Sequence, residues 1–139
     1  MSWDVSVASE STPPAVEEMP DDWKGAFLGS AASVRAAISA ALPEVDWPDP
    51  TWGVLTGEGF SFEFNMGKQD PNDGFMIHVR GGGDAVPYLM RLVTQSGWYL
   101  LDTSTGEWMH HAADPNEGWK SFQAFRDEVV RSVAKDPKP

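Results

Sequence analysis

Two short segments of alternating residues, FSFEFNM from Phe60 and FMIHVR from Phe75, constrain the fold of this chain more than any other feature. A period of two, apolar then polar, is typical of a β-strand with one buried face. A single polar loop, GKQDPNDG, joins the segments, so they most simply form an antiparallel hairpin. Their apolar faces then coincide, and so do their polar faces. Four polar side chains are predicted to emerge together on that second face: Glu63, Asn65, His78 and Arg80.

The segments before and after this hairpin predict further strands and three helices. Alternation of Trp3, Val5 and Val7 predicts a strand, and the alanine-rich run between Ser30 and Pro43 predicts a helix capped by Ser30. DWPDP predicts a turn, and short strands are expected from GVLT, WYLLD and EWMHH.

Two more helices follow from capping signals. Asp84 is the expected N-cap of the second helix, which Gly97 ends, and Asp114 is the expected N-cap of the last. The apolar face of that last helix is predicted to comprise Trp119, Phe122, Phe125, Val129 and Val133.

The predicted element order is β-α-β-β-β-α-β-β-α. Adjacent strands interrupted by helices indicate an α+β fold, with a mainly antiparallel sheet of about five to six strands and three helices packed on one face. With 139 residues, one domain is expected. Its predicted parts are an N-terminal strand at 1–9, a connector rich in proline and acidic residues at 10–26, a main α+β body at 27–134 and a flexible tail at 135–139.

The charge of the chain limits its partners. The formal net charge is −11 at pH 7, and no cluster of lysine and arginine is present, so nucleic-acid binding is not expected. A basic protein partner would complement this charge, although many soluble bacterial proteins are acidic without such a partner. Cysteine is absent, which fits a reducing cytoplasm. Neither a membrane-spanning run nor a secretory signal is expected.

The run RGGGD (80–84) raises the question of an anion site. Successive backbone N–H groups of Gly81, Gly82 and Gly83 before a helix resemble a phosphate-binding turn. A P-loop, however, needs Lys-Ser/Thr after its last glycine, and Asp84 stands there instead. A structural turn is therefore the preferred interpretation, with an anion turn as the alternative.

Metal ligands and cofactors are not predicted. Adjacent His110 and His111 would point to opposite faces of a strand, so both cannot bind one metal. The sequence from Asp70 to Asp73 resembles part of a calcium loop, but Pro71 interrupts it and the closing glutamate is missing.

The remaining candidates are aromatic and acidic. Four tryptophans are expected to lie partly at the surface, where tryptophan often dominates binding: Trp47, Trp52, Trp98 and Trp108. Asp102 ends a strand before a turn, a frequent place for functional side chains. If Glu63, His78 and Arg80 surround a pocket with Asp102, a small enzyme or ligand binder is possible; if they lie on a flat face, a non-enzymatic protein-binding module is favoured.

The segment FSFEFNMGKQDPNDGFMIHVRGGGDA together with WYLLDTSTGEWM resembles a group of short, uncharacterised bacterial proteins, over about Trp47 to Phe125. This resemblance implies no activity and no catalytic residues. The acidic, cysteine-free α+β plan is also similar in architecture to immunity proteins of bacterial toxin systems. That similarity implies a cytoplasmic protein that blocks a basic toxin, often a nuclease. A homodimer formed through an aromatic patch is a third hypothesis.

Overall fold

The computed structural model describes residues 2–9, 27–109 and 114–135. Within these ranges the chain forms one antiparallel sheet of seven strands and three helices, so the predicted α+β fold is confirmed. The strands are β1 (Trp3–Ala8), β2 (Asp46–Asp49), β3 (Trp52–Thr56), β4 (Phe60–Asn65), β5 (Phe75–Gly81), β6 (Tyr99–Asp102) and β7 (Glu107–Trp108). The helices are α1 (Ala31–Ala41), α2 (Val86–Ser96) and α3 (Glu117–Lys135). The connector at 10–26, the tail beyond 135 and the pair His110-His111 lie outside the described residues.

The strands lie side by side in the order β2-β3-β4-β5-β1-β6-β7. The N-terminal strand β1 therefore lies inside the sheet, where it pairs with β5 on one side and β6 on the other. The sheet has one strand more than the upper prediction, because β2 forms where DWPDP predicted a turn. Pro48 lacks a backbone N–H, and β2 tolerates it because an edge strand needs hydrogen bonds on one side only.

The hairpin of β4 and β5 has the predicted faces. Phe62 pairs with Val79 and Phe64 with Ile77, and all four side chains are fully buried. Glu63 pairs with His78 on the opposite face, so the predicted juxtaposition of these two polar groups is confirmed.

All three helices lie on the face of the sheet that carries these buried phenylalanines. Each helix contacts the sheet through at least one large aromatic side chain. For α1 the contact is the Trp47 indole N–H, which donates to Ser39 at 2.9 Å; for α2 it is Tyr88 against Phe62; for α3 it is Trp119 against Trp3, with ring centroids 5.6 Å apart. Among the described residues, no helix has the length and apolar character needed to cross a membrane.

The helix ends agree with the sequence in part. Ser30 accepts a hydrogen bond from Ser33 N at 3.1 Å, as its predicted capping role requires, and Gly97 ends α2 in the left-handed conformation at φ 78°. The prediction that Asp84 caps α2 is wrong, because the cap position is Ala85 and no side chain bonds to it. Pro87 in the first turn has no N–H to satisfy, which lowers the need for a capping side chain.

The last helix differs from its prediction at two points. It begins at Glu117, three residues after the expected cap Asp114, whose carboxylate instead accepts a hydrogen bond from Asn116 N at 3.0 Å. Phe125 was expected on the buried face, but 62% of it is exposed. The helix is anchored to the core through its first turns, where Trp119 stacks on Phe122.

The polar loop between β4 and β5, which contains the sequence that resembles part of a calcium loop, has a structural role. The Asp70 carboxylate accepts the N–H of Ala31 at 3.0 Å and so caps α1 from a distant part of the chain. The buried Asn72 donates to Met66 O and accepts from Gly74 N. These bonds engage Asp70 and Asn72, two of the side chains that resembled calcium ligands.

Candidate functional site

The face of the sheet that points away from the three helices, called here the outer face, carries most of the predicted site. Successive strands place Val54, Glu63, His78 and Asp4 directly side by side in one cross-strand row. Arg80 follows His78 by two residues on the same strand and therefore shares its face. Asp4 was not predicted as part of the site.

The ionisable groups of this row and Arg80 form two pairs. The Arg80 guanidinium donates to the Glu63 carboxylate, and Nδ1 of His78 lies 2.7 Å from Oδ1 of Asp4. A carboxylate oxygen only accepts, so the His78 proton in this bond is on Nδ1. The other ring nitrogen, Nε2, has no hydrogen-bond partner within the described part of the chain. His78 is thus oriented by Asp4 and is 20% exposed at its side chain.

Asp4 is held in its ionised form. Partial burial by itself would raise the pKa of Asp4, but the hydrogen bonds from Ser2 and His78 and the positive charge of Arg80 together lower the pKa below its ordinary value of 3.8. The Ser2 hydroxyl donates to the same carboxylate oxygen at 2.6 Å. The outer face therefore keeps a negative charge at this point throughout the neutral pH range.

Trp52 and Asn65 occupy the next row of the outer face. They are direct cross-strand partners, and the row continues through Met76, Ser6 and Leu101. The half-buried Trp52 ring lies 6.1 Å from the His78 ring at an interplanar angle of 30°. The exposed Asn65 amide lies beside it, so an aromatic surface and a polar group adjoin the ion-paired row.

Asp102 lies on the opposite side of the sheet from the other candidates. It pairs with Val5, is 5% exposed, and its carboxylate accepts from the Trp3 indole at 2.9 Å and from Ser104 N and Oγ. The expectation of one pocket shared by Asp102, Glu63, His78 and Arg80 is therefore wrong. Leu100 and Asp102 are two residues apart on one strand, so alternation already placed Asp102 on the core face.

Two of the four tryptophans expected at the surface are buried. Trp98 is 8% exposed and packs edge-on against Phe75, so it belongs to the core. Trp108 pairs with Leu101 on the outer face, yet only 5% of it is exposed. Trp47 is half-buried on the helix side, against Phe64. Trp52 is the one of the four that lies beside the ion-paired row, next to His78.

The glycine run forms a packed turn. Gly82 N donates to Gly59 O at 2.7 Å, and Gly83 O accepts the Trp119 indole N–H at 2.8 Å. Gly81 has φ +87°, and a Cβ there would lie 2.4 Å from Gly59 O. The run therefore joins two turns of the sheet to α3, as expected of a structural turn.

Three cavities lie elsewhere on the molecule. One of about 450 Å³ is lined by Glu58, Phe60, Asp84, Pro87 and Tyr88; one of about 200 Å³ lies between the loop at 66–72 and the start of α1; one of about 10 Å³ lies beside Asp102. None of these three is lined by Glu63, His78 or Arg80. Within the described ranges, no group of three or more His, Asp and Glu side chains is placed to hold a metal ion.

Comparison with known proteins gives no relative: no protein-family model, no curated protein and no solved structure matches this chain.

Proposed function

We propose that this protein is a non-enzymatic binding module that holds a basic protein partner on the outer face of its sheet. The observation that supports this proposal is the asymmetry of the sheet. All three helices cover one face, and the other face presents an ordered row of charged side chains with Trp52 beside it.

The charge of this face fits a basic partner. Carboxylates of Asp4, Glu63 and Asp46 lie on it against the guanidinium of Arg80, and Asp46 is exposed at the sheet edge opposite Val54. The net charge of −11 extends the same field over the whole molecule. Such complementarity chiefly raises the rate of association, by attracting the partner before contact.

Affinity after contact would come from the centre of the row. Tryptophan is enriched among the residues that dominate binding energy, and Trp52 lies beside side chains already fixed by mutual hydrogen bonds. Side chains that are ordered before binding lose little conformational entropy when the partner arrives. Trp52 and His78 are therefore the proposed anchors, with Glu63, Arg80 and Asn65 around them.

The most specific form of this proposal is an immunity protein that neutralises a basic bacterial toxin by covering its active site. Its support is the small, acidic, cysteine-free α+β plan. Co-expression with a toxin encoded by the adjacent gene tests it. Wild-type protein is expected to restore growth, and Trp52→Ala is expected to restore it less. Equal protection by both proteins would contradict the assignment of the surface.

A small enzyme or ligand binder is the second candidate, and one observation favours it. Asp4 orients His78 through Nδ1, and the second ring nitrogen, Nε2, has no partner within the described residues. An oriented imidazole with one unoccupied nitrogen is suited to accepting a proton. Loss of hydrolysis of a test ester in His78→Ala, with retention in Trp98→Phe, would support this candidate. Equal rates in both would exclude His78 as the base for that reaction.

The binding proposal is tested by matched charge reversals. Asp46→Lys lies on the outer face, and Glu107→Lys makes the same change of charge on the exposed β7 edge. A partner captured from the host would be purified and its association measured at about 50 and 500 mM NaCl, where screening differs strongly. Asp46→Lys should slow association several-fold, and Glu107→Lys should slow it much less. Raising the salt concentration over this range should slow association of the wild-type protein about tenfold or more. An association rate that does not depend on salt, or equal effects of the two variants on that rate, would contradict the proposal.

A further inference from the structure

The 450 Å³ cleft lies at the end of the sheet, away from the outer face. The turn between β3 and β4 forms one wall through Glu58, and the segment that leads into α2 forms the other through Asp84. Its volume falls in the range of ordinary small-ligand sites, about 300–1,000 Å³.

Aromatic rings line the cleft between these walls. Phe60 and Tyr88 meet edge to face with centroids 5.1 Å apart, and the packing of Phe60 in the core fixes both rings. The guanidinium of Arg91 lies 4.9 Å from the centre of the Tyr88 ring, so this ring already attracts a cation on one of its two faces. Arg91 is itself neutralised by Glu44 at 2.6 Å.

The two acidic side chains of the cleft are unpaired. Neither Glu58 nor Asp84 makes a hydrogen bond or ion pair within the described part of the chain, and both are exposed. Glycines hold their backbones together, because Gly82 N bonds to Gly59 O at 2.7 Å and a Cβ on Gly83 would lie 2.8 Å from Glu58 O. The close approach of the two turns brings carboxylates that are distant in sequence into one cleft.

The charge of the cleft selects its ligand. Two carboxylates outweigh the positive end of α2, which is equivalent to about half an elementary charge. The guanidinium of Arg126, which donates to Gly81 O in the adjoining turn, is itself paired with Asp127 at 3.2 Å. Phosphate would be repelled, although Asp84, which lines the cleft, directly follows the glycine run that resembles an anion turn. Two carboxylates would leave most ligand positions of a hard metal ion to water, and within the described ranges no group of three or more acidic or histidine side chains is placed to hold one. Carboxylates beside aromatic rings are instead suited to a protonated amine or a guanidinium group.

We propose that this cleft binds an alkylammonium or guanidinium group, with Glu58 and Asp84 as counter-ions and the half-buried ring of Tyr88, backed by the buried Phe60, as its apolar contact. The group belongs either to a free small amine or to a lysine or arginine side chain of another protein. This site stands whether or not the outer face binds a partner, since the two share no residue.

The test is an amide NMR titration of the whole chain with butylammonium chloride, with sodium chloride at equal ionic strength as the control. We expect saturable shifts at 57–60 and 81–88, with a dissociation constant in the millimolar range typical of so small a ligand. Asp84→Asn should weaken binding about fivefold, the value of one exposed charge pair of about 1 kcal/mol. Glu107→Gln, a matched change at an exposed carboxylate outside the cleft, should leave it unchanged.

A second titration, with the blocked peptide acetyl-Gly-Lys-Gly-amide, distinguishes the two sources of the cation. Tighter binding of the peptide than of butylammonium assigns the cleft to a protein side chain, and weaker binding assigns it to free amines. Shifts that sodium chloride reproduces, that do not saturate, or that Asp84→Asn leaves intact would overturn the proposal. The Asp84→Asn side chain is exposed, so an otherwise unchanged spectrum confirms that this variant is folded.

Discussion

Replacement of Asp102 by alanine should destabilise the protein without affecting the outer face. The carboxylate is 5% exposed and accepts three hydrogen bonds, one of them from the indole of Trp3, which is itself 1% exposed. Loss of a hydrogen bond to a charged acceptor costs about 1.5–3 kcal/mol, largely because the indole N–H remains buried without a partner. The two bonds from Ser104, in a turn at the surface, add about 1 kcal/mol.

The expected loss of unfolding free energy in Asp102→Ala is therefore about 2.5–4 kcal/mol, a large part of the roughly 5–15 kcal/mol typical of a domain. Asp102→Asn keeps an acceptor oxygen in the same place and should cost only about 1 kcal/mol. Urea unfolding followed by far-ultraviolet circular dichroism measures both values without depending on tryptophan emission.

A double-mutant cycle with Trp3→Phe isolates the bond between the two side chains. The coupling energy should be about 1–2 kcal/mol, because each single variant removes the same contact. A cost below about 1 kcal/mol for Asp102→Ala, or a coupling near zero, would refute the structural role of Asp102. If Asp102→Ala is folded but no longer binds the partner, Asp102 would belong to the functional site.

Three further experiments test individual contacts. Gly118→Ala would normally stabilise a helix by up to about 1 kcal/mol, but its Cβ would lie 1.8 Å from Asp102 Oδ2, so we expect a lower melting temperature that Asp102→Ala partly rescues. Gly81→Ala should lower the unfolding free energy measured in urea by about 3 kcal/mol or more, because Gly81 has a positive φ and the new Cβ would clash with backbone. Gly67 has φ +69° but lies in open space, so Gly67→Ala should cost only about 1 kcal/mol. Equal costs for the two variants would contradict the packed turn. Asp4→Asn should reduce unfolding free energy by about 0.5–1 kcal/mol at pH 7. Because folding lowers the pKa of Asp4 below 3.8, this difference should be complete above about pH 5 and vanish as the pH falls through the lowered pKa; a constant difference down to pH 2 would refute the pairing.

Local sequence patterns predicted best those strands in which apolar and polar residues alternate most regularly. The hairpin of β4 and β5 has the predicted register because a slip of one residue would bury Glu63 and expose Phe62 or Phe64. The strand β2 was missed because Pro48 argues against a strand, and only its position at the sheet edge makes the proline acceptable. Asp84 was assigned to the wrong role because the sequence does not show that the turn from 81 to 84 packs on Gly59.

The candidate site was predictable within the hairpin and not beyond it. Glu63, His78 and Arg80 were found because their two strands are neighbours in sequence. The partner of His78, Asp4, lies 74 residues away, and nothing local indicates that β1 inserts between β5 and β6. The position of Asp102 at a strand end favours a functional role, but Asp102 lies two residues after the buried Leu100 and so shares its face, which is the core face.

The central claim, that a basic partner binds on the outer face, is tested most directly by the side-chain NMR signals of the complex. Trp52 and Trp3 lie on opposite faces of the sheet, so their indole N–H signals report on the two sides separately. Binding of the partner should shift the Trp52 indole and the His78 imidazole and leave the Trp3 indole in place. A complex in which Trp3 or Trp119 shifts and Trp52 and His78 do not would show that the partner binds on the helical side and that the proposed surface has no role in recognition.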